Sequence, residues 1–244
     1  MKNKIVKLLF VSLIAFNCFS QKIVFSTINW EPYIGESLRD NGFLAVIIKE
    51  AFKASGHDVK FKFVPWSRAV KMAADGAFHG FLPEYYSEKR LKDFVFSDVV
   101  FSGPAGLYRN TLSELKIDGS YKDYIKNKRI GLVRGYINTK FIDERAEIIK
   151  DFARNDLSNL KKLNAARVDF IFIDDLVAKY HISKNPELKY LEFIEPPLEM
   201  KELYVCFSKK KGNYLKLRED FNRGLKAIQF KIPRILRTYN VQLK

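Results

Sequence analysis

The stretch Arg68–Tyr85, RAVKMAADGAFHGFLPEY, has a downstream counterpart in Ser158–Asp175, SNLKKLNAARVDFIFIDD. Each reads as an amphipathic helix, a stop at small residues (Ala74 and Gly76; Ala165 and Ala166) and an apolar strand that ends beside an acid. Apolar side chains three and four apart mark the helices, and unbroken apolar runs mark buried strands. A helix–strand unit that occurs twice predicts two similar α/β lobes, since strands separated by helices build parallel sheets.

The segments around each unit extend the pattern. Ahead of the first, KIVFSTI (Lys22–Ile28) is a short β-rich run. FLAVIIKEAFKAS (Phe43–Ser55) places Leu44, Ile47, Ile48, Ala51 and Phe52 on one helical face before Gly56 ends it. VKFKFVP (Val59–Pro65) alternates with period two, and Ser67 is the expected N-cap of the helix that follows. Ahead of the second unit, RIGLV (Arg129–Val133) reads as a strand and GYINTKFIDERA (Gly135–Ala146) as a turn into a helix. DLVAKYHI (Asp175–Ile182) is a helix that Asp174 can cap. SGPAGLYRN (Ser102–Asn110) and ELYVCFSKK (Glu202–Lys210) are extended connectors between the lobes. The amphipathic YLKLREDFNRGLKAIQF (Tyr214–Phe230) returns to cover the first lobe. The expected division is residues 1–20 as a signal peptide, 21–103 with 209–244 as lobe one, and 104–208 as lobe two.

The opening MKNKIVKLLFVSLIAFNCFS has a basic start (Lys2, Lys4, Lys7), an apolar run from Leu8 to Phe16 and a small residue, Ser20, before Gln21. That is the grammar of a secretory signal peptide. Ala15 and Asn17 do not suit lipidation of Cys18, so soluble export to the periplasm is expected. Removing three lysines and no acids from the chain's +15 leaves +12 for the remainder. Such charge suits nucleic acid or anionic surfaces, but export and the dispersed lysines argue for a solvated basic surface and no nucleic acid. Cys206 is then the one remaining cysteine, read as a small buried hydrophobe. His57, His79 and His181 lack metal-ligand spacing, and no nucleophile elbow, P-loop or dinucleotide fingerprint is present. No metal, cofactor or catalytic residue is expected.

NWEPYIGE, FLAVIIKEAFKASG, VKFKFVPWSRAV, SEKRLKDFVFSD, RIGLV with the following RG, and ARVDFIFIDD occur in the order expected of extracytoplasmic solute-binding proteins. Across nearly the whole exported chain the sequence resembles family 3, the polar amino-acid-binding components of ABC importers. The resemblance implies a type II periplasmic-binding-protein-like α/β fold, with two lobes hinged on two crossing strands and a ligand in the cleft. It implies that Arg90, in the Ser87–Arg90 element, clamps a ligand carboxylate with its planar fork. It also implies that Asp174 accepts from a ligand ammonium, and that Trp30 packs on the ligand. Trp66, Tyr85 and Tyr86 fall at strand ends or turns beside the cleft, and Gly135 and Tyr136 follow the first strand of lobe two. The bland alternative for Arg90 is an ion pair with Glu88 or Asp93. As a cleft residue rather than a core one, Arg90 is expected to be dispensable for folding.

Two departures from the amino-acid binders bear on the ligand. PEYY (Pro83–Tyr86) is bulky and acidic where small residues are usual, and VRGYIN (Val133–Asn138) puts Tyr136 where a small hydroxyl is usual. The expected ligand is therefore an amino acid or a related amine or organic acid, carried as a monomer to an ABC permease. One alternative is a ligand sensor for a membrane receptor. Another is a dehydratase of the cyclohexadienyl dehydratase type, with Glu84 or Asp175 as general acid.

Overall fold

The computed structural model describes residues 22–115, 117 and 119–241. The expected signal segment, with Cys18, lies outside the described residues. Among these residues no helix is long and apolar enough to cross a membrane.

The first half is laid down as β1 (Ile23–Thr27), α1 (Phe43–Ala54), β2 (Val59–Phe63), α2 (Trp66–Ala74) and β3 (Gly80–Tyr85). Parallel pairing of β1 with both neighbours gives the order β2-β1-β3. The chain continues through β4 (Phe94–Phe96), β5 (Phe101–Asn110) and a helical turn, α3 (Tyr121–Tyr124). The second half then repeats the plan with β6 (Arg129–Val133), α4 (Lys140–Glu144), β7 (Ile149–Ala153), α5 (Asp156–Asn164) and β8 (Phe170–Asp174). Here β6 pairs in parallel with β7 and β8, so the local order is β7-β6-β8. The helix–strand units coincide in register. Helices α2 and α5 end at Ala74 and Asn164, strands β3 and β8 begin at Gly80 and Phe170, and the turns between pass through positive φ at Gly76 (+83°) and Ala166 (+52°). An alanine there costs about 1–2 kcal/mol relative to right-handed backbone, so the turn is imposed by the fold around it.

The remaining elements are α6 (Asp175–Lys184), β9 (Leu191–Phe193), β10 (Glu199–Ser208), α7 (Tyr214–Ala227) and α8 (Ile232–Thr238). The two expected connectors are the long strands β5 and β10. They pair antiparallel over Phe101–Ala105 and Glu199–Leu203. Past that overlap β10 runs on to pair β3 and β4, whereas β5 runs on to pair β8 and β9. One curled sheet, β2-β1-β3-β10-β5-β8-β6-β7, therefore joins the halves through backbone hydrogen bonds. Cys206 is a buried free thiol within β10. Helix α7 covers α1, with Phe221 against Phe52 at 4.8 Å between ring centroids. Asp220 holds His57 Nε2 at 2.9 Å, and its carbonyl accepts from the Ser55 hydroxyl.

Two local expectations differ from the structure, and one strand carries no signal in the sequence. Helix α2 starts two residues earlier than an N-cap at Ser67 allows, with Pro65 at the N-cap, so Ser67 lies in the first turn. Its preset φ and missing N–H suit proline to the position just before or at a helix start. The helix expected after Gly135 is only five residues long because Thr139 caps it late, accepting from Ile142 N–H. Strand β7 carries no clear alternation, since it is an edge strand with Ile149 and Phe152 exposed.

Candidate functional site

The carboxyl ends of β1 and β3 and the start of α2 face the ends of β6 and β8 and the starts of α5 and α6. This is where open α/β sheets present ligand sites. Trp66 is the first residue of α2, and its indole N–H donates to the Gly135 carbonyl across the cleft at 3.0 Å. Arg90 Nη2 donates to the same carbonyl at 3.4 Å. Gly135 turns the chain directly after β6 with φ +81°, a left-handed conformation that suits glycine. The next residue, Tyr136, then meets Trp66 edge-on at 5.8 Å.

Deeper in the cleft the Tyr33 hydroxyl donates to Asp174 Oδ2 at 2.8 Å. Gly103 on β5 permits this approach: a Cβ there would lie 2.3 Å from the Tyr33 hydroxyl and 2.9 Å from Asp174 Oδ2. The other oxygen of Asp174 caps α6, accepting from the N–H groups of Leu176 (3.0 Å) and Val177 (3.2 Å). Asp174 is thus both the helix cap and a cleft carboxylate. Trp30 stacks on Tyr33 at 4.5 Å and meets Tyr85 edge-on at 6.1 Å, forming an aromatic wall.

Two small cavities lie between these groups. One of about 20 Å³ is lined by residues including Trp30, Trp66, Glu84, Tyr85 and Tyr136. The other, about 10 Å³, is lined by residues including Trp30, Tyr85, Tyr136, Asp156 and Asp174. A space of about 500 Å³ opens beyond Trp66 and Tyr136 toward Asn29, Glu36 and Arg154. Each small cavity has room for about one water, so the two halves are in contact.

Arg90 sits at the end of a single helical turn, Glu88–Arg90, whose N-cap is Ser87. Its partner is neither Glu88 nor Asp93. Arg90 Nε donates to Glu84 Oε2 at 2.7 Å, and the guanidinium lies 5.7 Å from the Phe81 ring centroid. The Arg90 side chain is 19% exposed and that of Glu84 3%, so this is a largely buried pair rather than a surface one. Burial pushes the Glu84 carboxyl up to about 7, against the pull of Arg90, the Tyr85 N–H and Lys201. Burial likewise raises Asp174 to about 7, opposed by the Tyr33 hydroxyl and the two backbone N–H groups. Asp156, which accepts from the Tyr136 hydroxyl at 3.2 Å, is raised by burial to about 6.

Of the residues singled out from sequence, the structure brings together Trp30, Trp66, Tyr85, Arg90, Gly135, Tyr136 and Asp174. Tyr86 is not among them. It is half exposed and packs on Phe96 and Tyr204, because the residue after inward-facing Tyr85 points the other way. Sequence reasoning missed Tyr33, Asp156 and Lys201. Lys201 on β10 is buried, with Nζ 4.8 Å from the Tyr85 ring centroid and 3.3 Å from the Asn138 carbonyl. The internal repeat held a usable signal for one of them. Trp66 and Asp156 are the first residues of the matching helices α2 and α5, and Glu84 and Asp174 sit at matching places in β3 and β8.

No protein-family model matches this sequence, nor does any curated protein. Solved structures do match its fold. A histidine kinase sensor domain with similarity to periplasmic binding proteins superposes with a TM-score of 0.78 at 16% identity, covering 90% of this chain and 96% of that one. The arginine-, lysine-, histidine-binding protein ArtJ from the thermophilic bacterium Geobacillus stearothermophilus gives 0.74 at 18% identity, covering 92% and 97%. The GluR0 ligand-binding core from Nostoc punctiforme, in complex with L-glutamate, gives 0.74 at 13% identity, covering 90% and 100%. These neighbours are binding and sensor proteins. With its two βαβαβ units joined by two shared strands, the chain has the two-lobed α/β fold of periplasmic solute-binding proteins.

Proposed function

We propose that this protein is an extracytoplasmic solute-binding protein. It captures a small polar molecule, an amino acid or a related amine or organic acid, between its lobes for import by an ABC permease. The observation that carries this reading is the cross-cleft set, in which Trp66, Arg90 and Tyr33 of one half meet Gly135, Tyr136 and Asp174 of the other. Groups that hold the halves together around charged, aromatic cavities also suit the trapping of a ligand by hinge closure. Lobe one is taken as residues 21–103 and 209–244, and lobe two as 104–208. Arg90, Asp174, Trp30, Trp66, Tyr85, Gly135 and Tyr136 are the proposed ligand-facing residues.

A thermal-shift screen of amino acids, amines, polyamines and small organic acids tests the reading. A ligand at a hundred times its Kd adds about 2.7 kcal/mol of stability. No stabilisation across the panel would remove the assignment. The histidine kinase sensor domain among the structural neighbours favours one second reading, a sensor that presents its ligand to a membrane receptor. Co-purification with a receptor ectodomain rather than a permease distinguishes the two.

A further inference from the structure

The closed cleft holds buried acids that differ in how they are compensated. Glu84 is paired with Arg90, and Asp175 is held by Lys179 Nζ at 2.5 Å and by the Tyr108 hydroxyl at 2.7 Å. Lys201 has Glu199 at 3.5 Å. Asp156 and Asp174 have no ion pair among the described residues. Asp156 accepts from the Tyr136 hydroxyl, while Asp174 accepts from the Tyr33 hydroxyl and two backbone N–H groups. Both line the same cavity, between the rings of Trp30, Tyr85 and Tyr136. Glu31, half-buried and itself raised by burial, adds further negative charge toward Asp156.

A second observation concerns the same cavity. The Trp30 side chain is buried, and its indole Nε1–H faces the Asp156 carboxylate closely enough to pull that acid down, yet makes no well-aligned hydrogen bond. Buried donors are nearly always well paired, so an indole N–H only loosely met by Asp156 marks a cavity wall that a ligand acceptor can complete.

We propose, building on the binding reading above, that the cleft selects a small organic cation of net positive charge, its ammonium held between Asp156 and Asp174 and an oxygen placed near the Trp30 indole. Two carboxylates without a protein cation can be neutralised by an ammonium that donates to both, and aromatic faces around it add cation–π attraction. Arg90 enters the site already paired with Glu84 at 2.7 Å, so a ligand carboxylate would have to compete with that acid for its guanidinium. Asp156 is then the residue that sets the preference for net charge.

The test uses two skeleton-matched charge series, measured by isothermal titration. The first is ethanolamine, glycine and glycolate; the second is tyramine, tyrosine and phloretate. In at least one series the cationic member should bind tenfold or more tightly than its zwitterionic and anionic counterparts. Asp156→Asn should weaken the cation tenfold or more and remove the preference, with the near-ultraviolet circular dichroism unchanged. A wild-type preference for the zwitterion or anion overturns the proposal without recourse to any variant, as does an undiminished cation preference in Asp156→Asn. Binding of anions alone leaves the solute-binding reading standing and removes this one. No binding in either series, nor in the broader thermal-shift panel, removes both.

Discussion

Replacing Arg90 with alanine should destabilise the protein in a way that depends on pH, and the structure sets the size of the effect. The change removes the Nε–H bond to Glu84 at 2.7 Å, the contact with the Gly135 carbonyl and the cation over Phe81. Breaking a buried pair from one side typically costs about 3–5 kcal/mol. Glu84 can limit this loss by keeping its proton, because its carboxyl already titrates at about 7 against an ordinary 4.5. A folded-state pKa above the unfolded one means that the native state binds more protons over that window. Stability is then full below pH 4.5 and is lost as pH rises through the folded pKa. Without Arg90 the folded pKa rises further, so the loss continues above pH 7, where in the wild type it levels off. The difference between Arg90→Ala and wild type should be about 1–2 kcal/mol at pH 7 from lost contacts, growing by about 1.4 kcal/mol per pH unit above that. Urea denaturation at pH 6, 7, 8 and 9 measures it, and Glu84→Gln in the Arg90→Ala background should abolish the slope. A difference below about 0.5 kcal/mol at every pH would refute the reasoning and return Arg90 to the dispensable cleft residue expected from sequence.

Three further outcomes follow from the same geometry. Asp174→Asn keeps the helix cap through its one carbonyl oxygen and turns its Nδ2–H toward the Tyr33 hydroxyl, which then accepts, yet it carries no buried charge. It should therefore unfold about 1–4 kcal/mol later than wild type at pH 8 and equally at pH 4, as followed by thermal melts. A wild-type advantage at pH 8 would contradict the raised Asp174 carboxyl. Gly103→Ala drives a methyl group between Tyr33 and Asp174 and should lower stability by about 1–3 kcal/mol in urea titrations, whereas a neutral result would mean that β5 shifts freely. Affinity for a cationic ligand should fall as pH drops from 7 to 5, by up to about tenfold per pH unit for each carboxyl that must lose a proton. An affinity that is flat over this range would show that Asp156 and Asp174 stay ionised without the ligand.

Much of the fold was legible because its periodic signals are local. The α2–β3 and α5–β8 units announce themselves through helical spacing and small-residue stops, down to the shared positive-φ turn at Gly76 and Ala166. Strand β7 was not legible, since an edge strand with exposed Ile149 and Phe152 has no buried face to impose alternation. In the site, Trp30, Trp66, Gly135 and Tyr136 could be picked out as aromatics and a glycine at turns. The pairing of Arg90 with Glu84 could not, because the partner is chosen by how β3 and the following turn fold over each other, with Glu88 and Asp93 both nearer in sequence. Lys201 was hidden for a similar reason. A lysine in a basic chain reads as solvated until the hinge strand that carries it is seen to run behind Tyr85.

The path of the chain through its sheet also sets an order of events during synthesis. Strand β3 waits for its antiparallel neighbour β10, and the apolar face of α1 waits for α7, both of which are among the last segments to emerge. Elements β6 to β8, with β5, can assemble from contiguous sequence well before then. The amino-terminal half, although it leaves the ribosome first, is therefore held incomplete until nearly the whole polypeptide has been made.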